Sequence, residues 1–145
     1  MKNNVLLIGF TVVLPLLYGC GHSPEETSEM SRDAERSLEV VRGSALKSLL
    51  ESSKHPVLVE FGVDYNCPRC QEVKSDVIDL KERLRDQVQV VRVDYNTNMA
   101  MVSQLGGTIC PTYVLFQNGQ PVLTRSFPVS MDLLEGAIAQ LGGNR

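Results

Sequence analysis

The stretch that decides the fold reads VEFGVDYNCPRCQEVK, residues 59–74. It begins with an apolar run, which predicts a buried strand, and ends in a pattern that predicts a helix. Between them lies Cys67-Pro68-Arg69-Cys70. Two cysteines at this spacing can form a redox pair, half of a metal site or a structural disulfide. The rest of the chain must decide among the three.

The motif places Cys67 at the head of the predicted helix. The first turn of a helix has unpaired N–H groups and a partial positive charge, which lower the pKa of a thiol there. Arg69 adds a nearby cation, and Pro68 suits a first turn because that turn needs no N–H from it. Cys70 falls on the same helical face and deeper in the protein. The position therefore predicts Cys67 as nucleophile and Cys70 as the thiol that resolves the mixed disulfide.

Strand and helix patterns alternate along the chain, and an Asn-Gly pair between two apolar runs predicts a hairpin. Alternation of this kind indicates an α/β fold, with a mixed sheet flanked by helices on both faces. The predicted elements are strand 38–41, helix 45–53 with Ser44 as N-cap, strand 56–62, a long helix from the cysteines with Val73, Val77, Leu80 and Leu84 on its apolar face, strand 88–94, helix 99–106, hairpin 112–127 and helix 130–143.

The N-terminus has the outline of an export signal. Residues 1–19 run from a basic start through an apolar stretch too short to favour a permanent membrane span. The ending LLYGC resembles a bacterial lipoprotein signal, which implies cleavage before Cys20 and acylation of that residue. Residues 20–36 then form a flexible tether, and 37–145 the folded domain. We expect an exported protein, lipid-anchored in the bacterial cell envelope at the outer membrane or the outer face of the cytoplasmic membrane.

Net charge and cysteine count reduce the number of possible functions. The net charge is −3 and no basic stripe is present, so nucleic acid is not an expected partner. Of the four cysteines, lipidation of Cys20 leaves three in a compartment that oxidises thiols. One thiol is then left over, which fits redox chemistry or metal binding better than a purely structural disulfide.

Residues 38–141 resemble the thioredoxin superfamily. The resemblance rests on VLVEF before the motif, CPRC at the head of a helix, VRVDYN as the next strand, and GGTICPTYVLFQNGQPV in the hairpin region. It implies a thioredoxin-like fold, with a central mixed sheet of four to five strands. It also implies that Pro111 is a cis proline beside Cys67, and that the backbone of Cys110 pairs with substrate chains.

The same resemblance gives Glu60 the role of a buried acid that relays the proton of Cys70. Burial is expected to raise the pKa of such a carboxyl group; the alternative is a strand-end residue that reaches solvent. The lysine that often pairs with this acid has no counterpart, since Val90 occupies its position. Asn66 replaces the usual tryptophan, and Tyr65 either takes the place of that tryptophan in substrate binding or is merely exposed.

Cys110 leaves three alternatives open: a third redox thiol, a metal ligand, or a small hydrophobic residue that fits the site. A zinc site needs further ligands, and the two imidazoles, His22 and His55, lie in no motif. Thiolates can also hold copper(I), so a copper metallochaperone is one alternative function, and a redox-inactive binding module is another. We expect no metal and no organic cofactor, the Cys67–Cys70 disulfide being the redox group.

The direction of electron flow is inferred from resemblance. Pro-Arg between the cysteines resembles the proline-first motifs of glutaredoxins and periplasmic oxidases, but the spacing to Pro111 leaves no room for the helical insertion of the oxidases. We therefore expect a monomeric thiol–disulfide oxidoreductase that acts as reductase or isomerase rather than oxidase. Its expected partners are protein thiols and disulfides, a membrane electron donor, and the membrane itself through the anchor.

Overall fold

The computed structural model describes residues 37–142, so the predicted signal, Cys20 and the tether lie outside the described residues. The elements follow the predicted order. They are β1 (Glu39–Val40), α1 (Gly43–Ser52), β2 (Val57–Gly62), α2 (Pro68–Glu72), α3 (Lys74–Leu84), β3 (Gln89–Asp94), a 3-10 turn (Asn96–Asn98), α4 (Met99–Gln104), β4 (Thr112–Gln117), β5 (Gln120–Ser126) and α5 (Met131–Gly142).

The strands form one five-stranded mixed sheet in the order β1-β3-β2-β4-β5. β1 and β2 both pair with β3 in parallel, whereas β4 pairs with β2 and with β5 in antiparallel fashion. β2 is thus central, and all six of its residues are buried, as its apolar run predicted. The parallel connections require the crossover helices, and the antiparallel pair β4–β5 is closed by a tight turn.

Each face of the sheet carries its own core because side chains alternate along a strand. One core lies under α3 and α5 and includes Leu58, Val77, Leu80 and Leu134. The other lies under α1 and α4 and includes Phe61. The helices therefore cover both faces, which confirms the predicted α/β architecture and fixes the carboxyl end of β2 as a rigid platform for the cysteines.

Three local features test the predictions: the start of α1, the helix after the cysteines and the hairpin turn. α1 begins at Gly43 with Arg42 at the N-cap position and no side-chain cap, so the predicted cap at Ser44 is wrong. The long helix after the cysteines is divided at Val73, whose φ of −98° and ψ of 0° leave the helical region. The hairpin turn is confirmed: Asn118 and Gly119 both have positive φ, as a two-residue turn with the twist of the flanking strands requires.

Within residues 37–142, no helix is both long enough and apolar enough to cross a membrane.

Candidate active site

Cys67 lies where the chain leaves the loop after β2 and enters α2. It is the N-cap residue of α2, and its Sγ accepts a hydrogen bond of 3.1 Å from the backbone N–H of Cys70. The two cysteines form a disulfide with a Cα–Cα distance of 5.2 Å. Cys67 is 7% exposed and Cys70 is 2% exposed. The sulfur of Cys67 therefore sits at the positive end of a helix and slightly nearer the surface, as predicted for an attacking thiol.

A second loop brings Cys110 and Pro111 against the disulfide. The Cys110–Pro111 peptide is cis, as the resemblance implied, and Pro111 is buried immediately before β4. The free sulfur of Cys110 lies 3.3 Å from Cys70 Sγ and 3.7 Å from Cys67 Sγ. Three sulfur atoms from two segments far apart in sequence thus lie close together.

Arg69 contacts the backbone of the second loop. Its Nε donates a hydrogen bond of 2.9 Å to the carbonyl oxygen of Cys110, the backbone group predicted to pair with substrate. Burial of Cys110, and next the charge of Glu60, raise the pKa of the Cys110 thiol, while the charge of Arg69 opposes both. Arg69 therefore acts directly on Cys110.

Glu60 is fully buried in the middle of β2 and has a basic partner on the neighbouring strand. Its Oε2 accepts a hydrogen bond of 2.6 Å from Arg92 Nε, and the two residues lie opposite each other on β2 and β3. Val90 occupies the position of the family's lysine, and the basic partner of Glu60 is instead Arg92, two positions along β3. The alternative that Glu60 reaches solvent is wrong, since it is 0% exposed.

The ion pair of Glu60 and Arg92 has further partners on both sides. Arg92 also pairs through its second nitrogen with Asp64, which ties the loop before Cys67 to the sheet. On the other side, Tyr113 lies opposite Glu60 on β4 and donates its hydroxyl to Glu60 Oε1 at 3.4 Å. Burial, and next the charge of Glu60, raise the pKa of Tyr113, so its phenol stays protonated and remains a donor.

A weak signal for Arg92 was present in the sequence. Glu60 and Arg92 are each the fourth residue of a six-residue strand, so a parallel pairing in equal register would have placed them side by side. Asp64 carried no such signal because loop geometry decides its contact with Arg92.

The side chain of Tyr65 is 84% exposed beside the disulfide. It borders an open cavity of about 570 Å³ that passes over the motif and the loop of Cys110. Side chains of both apolar and polar character line this cavity, among them Tyr65, Cys67, Arg69, Tyr95, Ile109 and Cys110. An exposed aromatic ring at the rim of such a groove is available to a bound chain.

No imidazole reaches the sulfur atoms within the described part of the chain. His55 precedes β2, whereas the cysteines follow it, so the length of β2 separates them. The three sulfurs of Cys67, Cys70 and Cys110 lie within 4.8 Å of one another. The ligand group that the side chains of residues 37–142 form at this place therefore consists of three sulfur atoms.

A mixed sheet with a Cys-x-x-Cys disulfide at a helix head, facing a cis proline, defines a thioredoxin-fold dithiol protein. A family model described as Thioredoxin matches residues 37–139. The chain belongs to the thioredoxin family, as its sequence pattern indicated.

The chain is 33% identical over 78 residues to Thioredoxin Y, chloroplastic, of Oryza sativa subsp. japonica, covering 54% of this chain and 46% of that protein. It is 34% identical over 92 residues to the Bifunctional thioredoxin reductase/thioredoxin of Mycobacterium leprae, covering 63% of this chain and 20% of that protein. With Thioredoxin 1 of Synechococcus elongatus it shares 38% identity over 78 residues, covering 54% and 71%. The chain thus spans less than half the length of the first two relatives.

Solved structures agree with the fold. A mutant thioredoxin from Halobacterium salinarum superposes with a TM-score of 0.61 at 27% identity, covering 73% of this chain and 91% of that one. Thioredoxin f2 of Chlamydomonas reinhardtii gives 0.63 at 25% identity, covering 75% and 100%. These matches confirm the thioredoxin fold.

Proposed function

We propose that this protein is a lipid-tethered thiol–disulfide oxidoreductase that exchanges electrons with protein disulfides outside the cytoplasm. The observation that carries the activity is the Cys67–Cys70 disulfide, with the sulfur of Cys67 at the head of α2 and the cis Pro111 loop beside it. Membership of the thioredoxin family supports the same chemistry. The redox group is the disulfide itself, and the proposal requires no organic cofactor.

In the reductive direction, the thiolate of Cys67 attacks one sulfur of a substrate disulfide, and the other substrate sulfur leaves as a thiolate that takes up a proton. Cys70 then loses its proton and attacks Cys67 Sγ, which breaks the mixed disulfide and releases the second substrate thiol. The substrate gains two electrons and two protons, and the protein ends with the Cys67–Cys70 disulfide. Glu60 relays the proton that Cys70 gives up.

The proposed substrate groove is the cavity bordered by Tyr65. The substrate chain pairs with the backbone of Cys110, whose carbonyl oxygen accepts one hydrogen bond from Arg69 and has a second lone pair for a donor of the substrate. A membrane electron donor returns the disulfide to the dithiol state, so that the protein acts as reductase or isomerase rather than oxidase.

Trapping of the mixed disulfide tests the activity. Cys70→Ser removes the resolving thiol, so the full chain, reduced and mixed with a disulfide-bonded test protein such as insulin, should accumulate a covalent adduct through Cys67. Cys67→Ser is the matched control and should form none. An adduct of equal yield in both variants, or in neither, would remove Cys67 from the role of nucleophile and overturn the proposal.

The membrane tether is a separate part of the proposal, supported by the lipoprotein-like ending at Cys20 and the charged segment after it. Cys20→Ala should abolish lipid incorporation, which is measured by labelling cells with a radioactive fatty acid, and should leave the signal uncleaved. Cys110→Ala is the control for loss of a cysteine as such. A Cys20→Ala chain that is still processed and labelled would contradict the anchor while leaving the redox activity untouched.

A further inference from the structure

We propose that the reduced protein binds one copper(I) ion in a three-thiolate site formed by Cys67, Cys70 and Cys110. The proposed oxidoreductase activity uses two of these cysteines and gives the thiol of Cys110 no task. Its sulfur nevertheless lies 3.3 Å and 3.7 Å from the two sulfurs of the disulfide. The position of this free thiol beside a redox pair indicates a further role for Cys110.

Direct attack of Cys110 on the disulfide does not fit the geometry. In thiol–disulfide exchange the attacking sulfur approaches along the extension of the S–S bond. Cys110 Sγ would then lie farther from Cys67 than from Cys70 by a bond length of about 2 Å. The observed distances differ by far less, so Cys110 lies to the side of the disulfide. The three sulfurs therefore form a compact triangle, which is the shape of a three-ligand metal site.

Reduction opens this triangle to the size that a metal needs. The Cys67–Cys70 disulfide takes up two electrons and two protons from a dithiol, and its two sulfurs move apart to non-bonded distance. A metal at the centre of a triangle with metal–sulfur bonds of about 2.3 Å, as in zinc thiolates, has sulfurs about 4 Å apart. The two distances to Cys110 are already near this value, so small side-chain rotations of Cys67 and Cys70 complete the site.

The ligand set selects copper(I). Thiolates bind zinc, iron–sulfur clusters and copper(I), but zinc and iron–sulfur sites usually take four ligands, whereas three thiolates are enough for copper(I). The described residues offer three sulfurs within 4.8 Å of one another and no imidazole at this end of the sheet. Charges of both signs surround the site: three thiolates with one Cu⁺ carry two net negative charges, the charge of Glu60 adds to them, and the charges of Arg69 and Arg92 oppose it. Binding releases the thiol protons to solvent.

The test is a competition titration of the full chain in detergent, reduced with a phosphine and kept anaerobic, with copper(I) supplied as its bicinchoninate complex. We expect one copper(I) per chain and three sulfur neighbours in X-ray absorption at the copper edge. Cys110→Ser and Cys110→Ala should each leave two sulfur neighbours. Loss of a residue that only supports a metal ligand weakens affinity about 10- to 100-fold, so loss of a ligand should cost at least about 100-fold.

The copper titration has two controls. Cys20→Ser should keep the affinity of the wild type, and both Cys110 variants should show a cooperative unfolding transition in denaturant titration, which establishes that they are folded. Equal copper affinity in wild type and both Cys110 variants, two sulfur neighbours in the wild type, or displacement of copper(I) by equimolar zinc would each overturn the proposal. None of these outcomes affects the mixed-disulfide trap, so failure of the copper site and failure of the redox activity are distinguishable.

Discussion

Glu60 and Arg92 face each other on adjacent parallel strands and form a buried ion pair, with 2.6 Å between Glu60 Oε2 and Arg92 Nε. The side chains are 0% and 9% exposed, so water contributes little to the solvation of either charge. A charged pair in such a place holds a fixed geometry because each group is costly to leave unpaired. It sets the position of the acid that we assign to proton relay, and through Asp64 it connects the sheet to the loop before Cys67.

Removal of the cation should destabilise the fold strongly. Arg92→Met leaves the carboxylate of Glu60 buried and without its partner, and breaking a buried pair in this way costs about 3–5 kcal/mol. The free energy of unfolding, measured by denaturant titration of the oxidised chain at neutral pH, should fall by that amount. Arg85→Met is the matched control: Arg85 is exposed and its pair with Glu82 is on the surface, so its effect should stay within about 0.5 kcal/mol. A loss no larger than in the control would contradict the buried-pair account.

Glu60→Gln should slow the resolution step more than the attack step. The amide keeps the shape of the side chain but cannot accept the proton of Cys70, and a positioned general base contributes about 10²–10⁴-fold. We expect release of the mixed disulfide to slow at least about tenfold near neutral pH and to recover as pH rises, because hydroxide then removes the proton directly. Stopped-flow mixing with a fluorescent disulfide substrate separates the two steps.

Glu39→Gln, on the exposed edge strand β1, is the control for this experiment and should leave both rates unchanged. If Glu60→Gln slowed attack and resolution equally, with no change in the pH profile, Glu60 would have a structural role only.

The thiol of Cys110 should react slowly with alkylating agents in the oxidised protein. Burial and the charge of Glu60 raise its pKa, so the thiol stays protonated at pH values where an ordinary thiol has begun to ionise. The rate of iodoacetamide alkylation, followed by mass spectrometry of the Cys110 peptide, should therefore rise only at higher pH than for glutathione. Arg69→Gln removes a charge that opposes these effects and should move the profile to still higher pH.

Arg83→Gln, which removes a cation paired with Glu135 between α3 and α5, is the control and should leave the profile where it is. A profile at or below that of glutathione in the wild type would contradict the raised pKa of Cys110.

Gly107 should tolerate no side chain. A Cβ at this position would lie 2.4 Å from Val102 Cγ1 and 2.8 Å from Thr112 Cγ2, so the loop that leads to Cys110 would have to shift. Gly107→Ala should therefore lower the free energy of unfolding by about 1–3 kcal/mol. Gly136→Ala is the opposite case: the helix α5 has open space there, and alanine should stabilise it by about 0.5–1 kcal/mol. Denaturant titration measures both changes. If the two substitutions changed the free energy of unfolding equally, the packing around Gly107 would not exclude a side chain there.

The sequence alone predicted the fold because its signals are local. The apolar run before Cys67 predicts a strand buried on both faces, and the spacing of Val77, Leu80 and Leu84 predicts one apolar face of a helix. Asn118-Gly119 specifies the hairpin through the backbone angles that these two residues adopt easily. Each of these patterns reflects a preference within a few residues, so no knowledge of the tertiary structure was needed.

The contacts that complete the site depend on pairings between distant segments. Arg92 is the partner of Glu60 because of the register between β2 and β3. Asp64 reaches Arg92 because of the path of the loop between β2 and Cys67. The approach of Cys110 to both sulfurs of the disulfide likewise depends on how two loops meet. The break at Val73 was missed because the apolar spacing continues across it while the backbone does not.

The central claim is that Cys67 and Cys70 form the redox centre, and a redox titration tests it most directly. The full chain is equilibrated in graded thiol–disulfide buffers, quenched by alkylation, and its free thiols are counted by mass. We predict a single two-electron transition that survives Cys110→Ser and disappears in Cys67→Ser, with a midpoint that separates reductase from oxidase behaviour. No transition in the wild type, or a transition that persists without Cys67, would contradict the account.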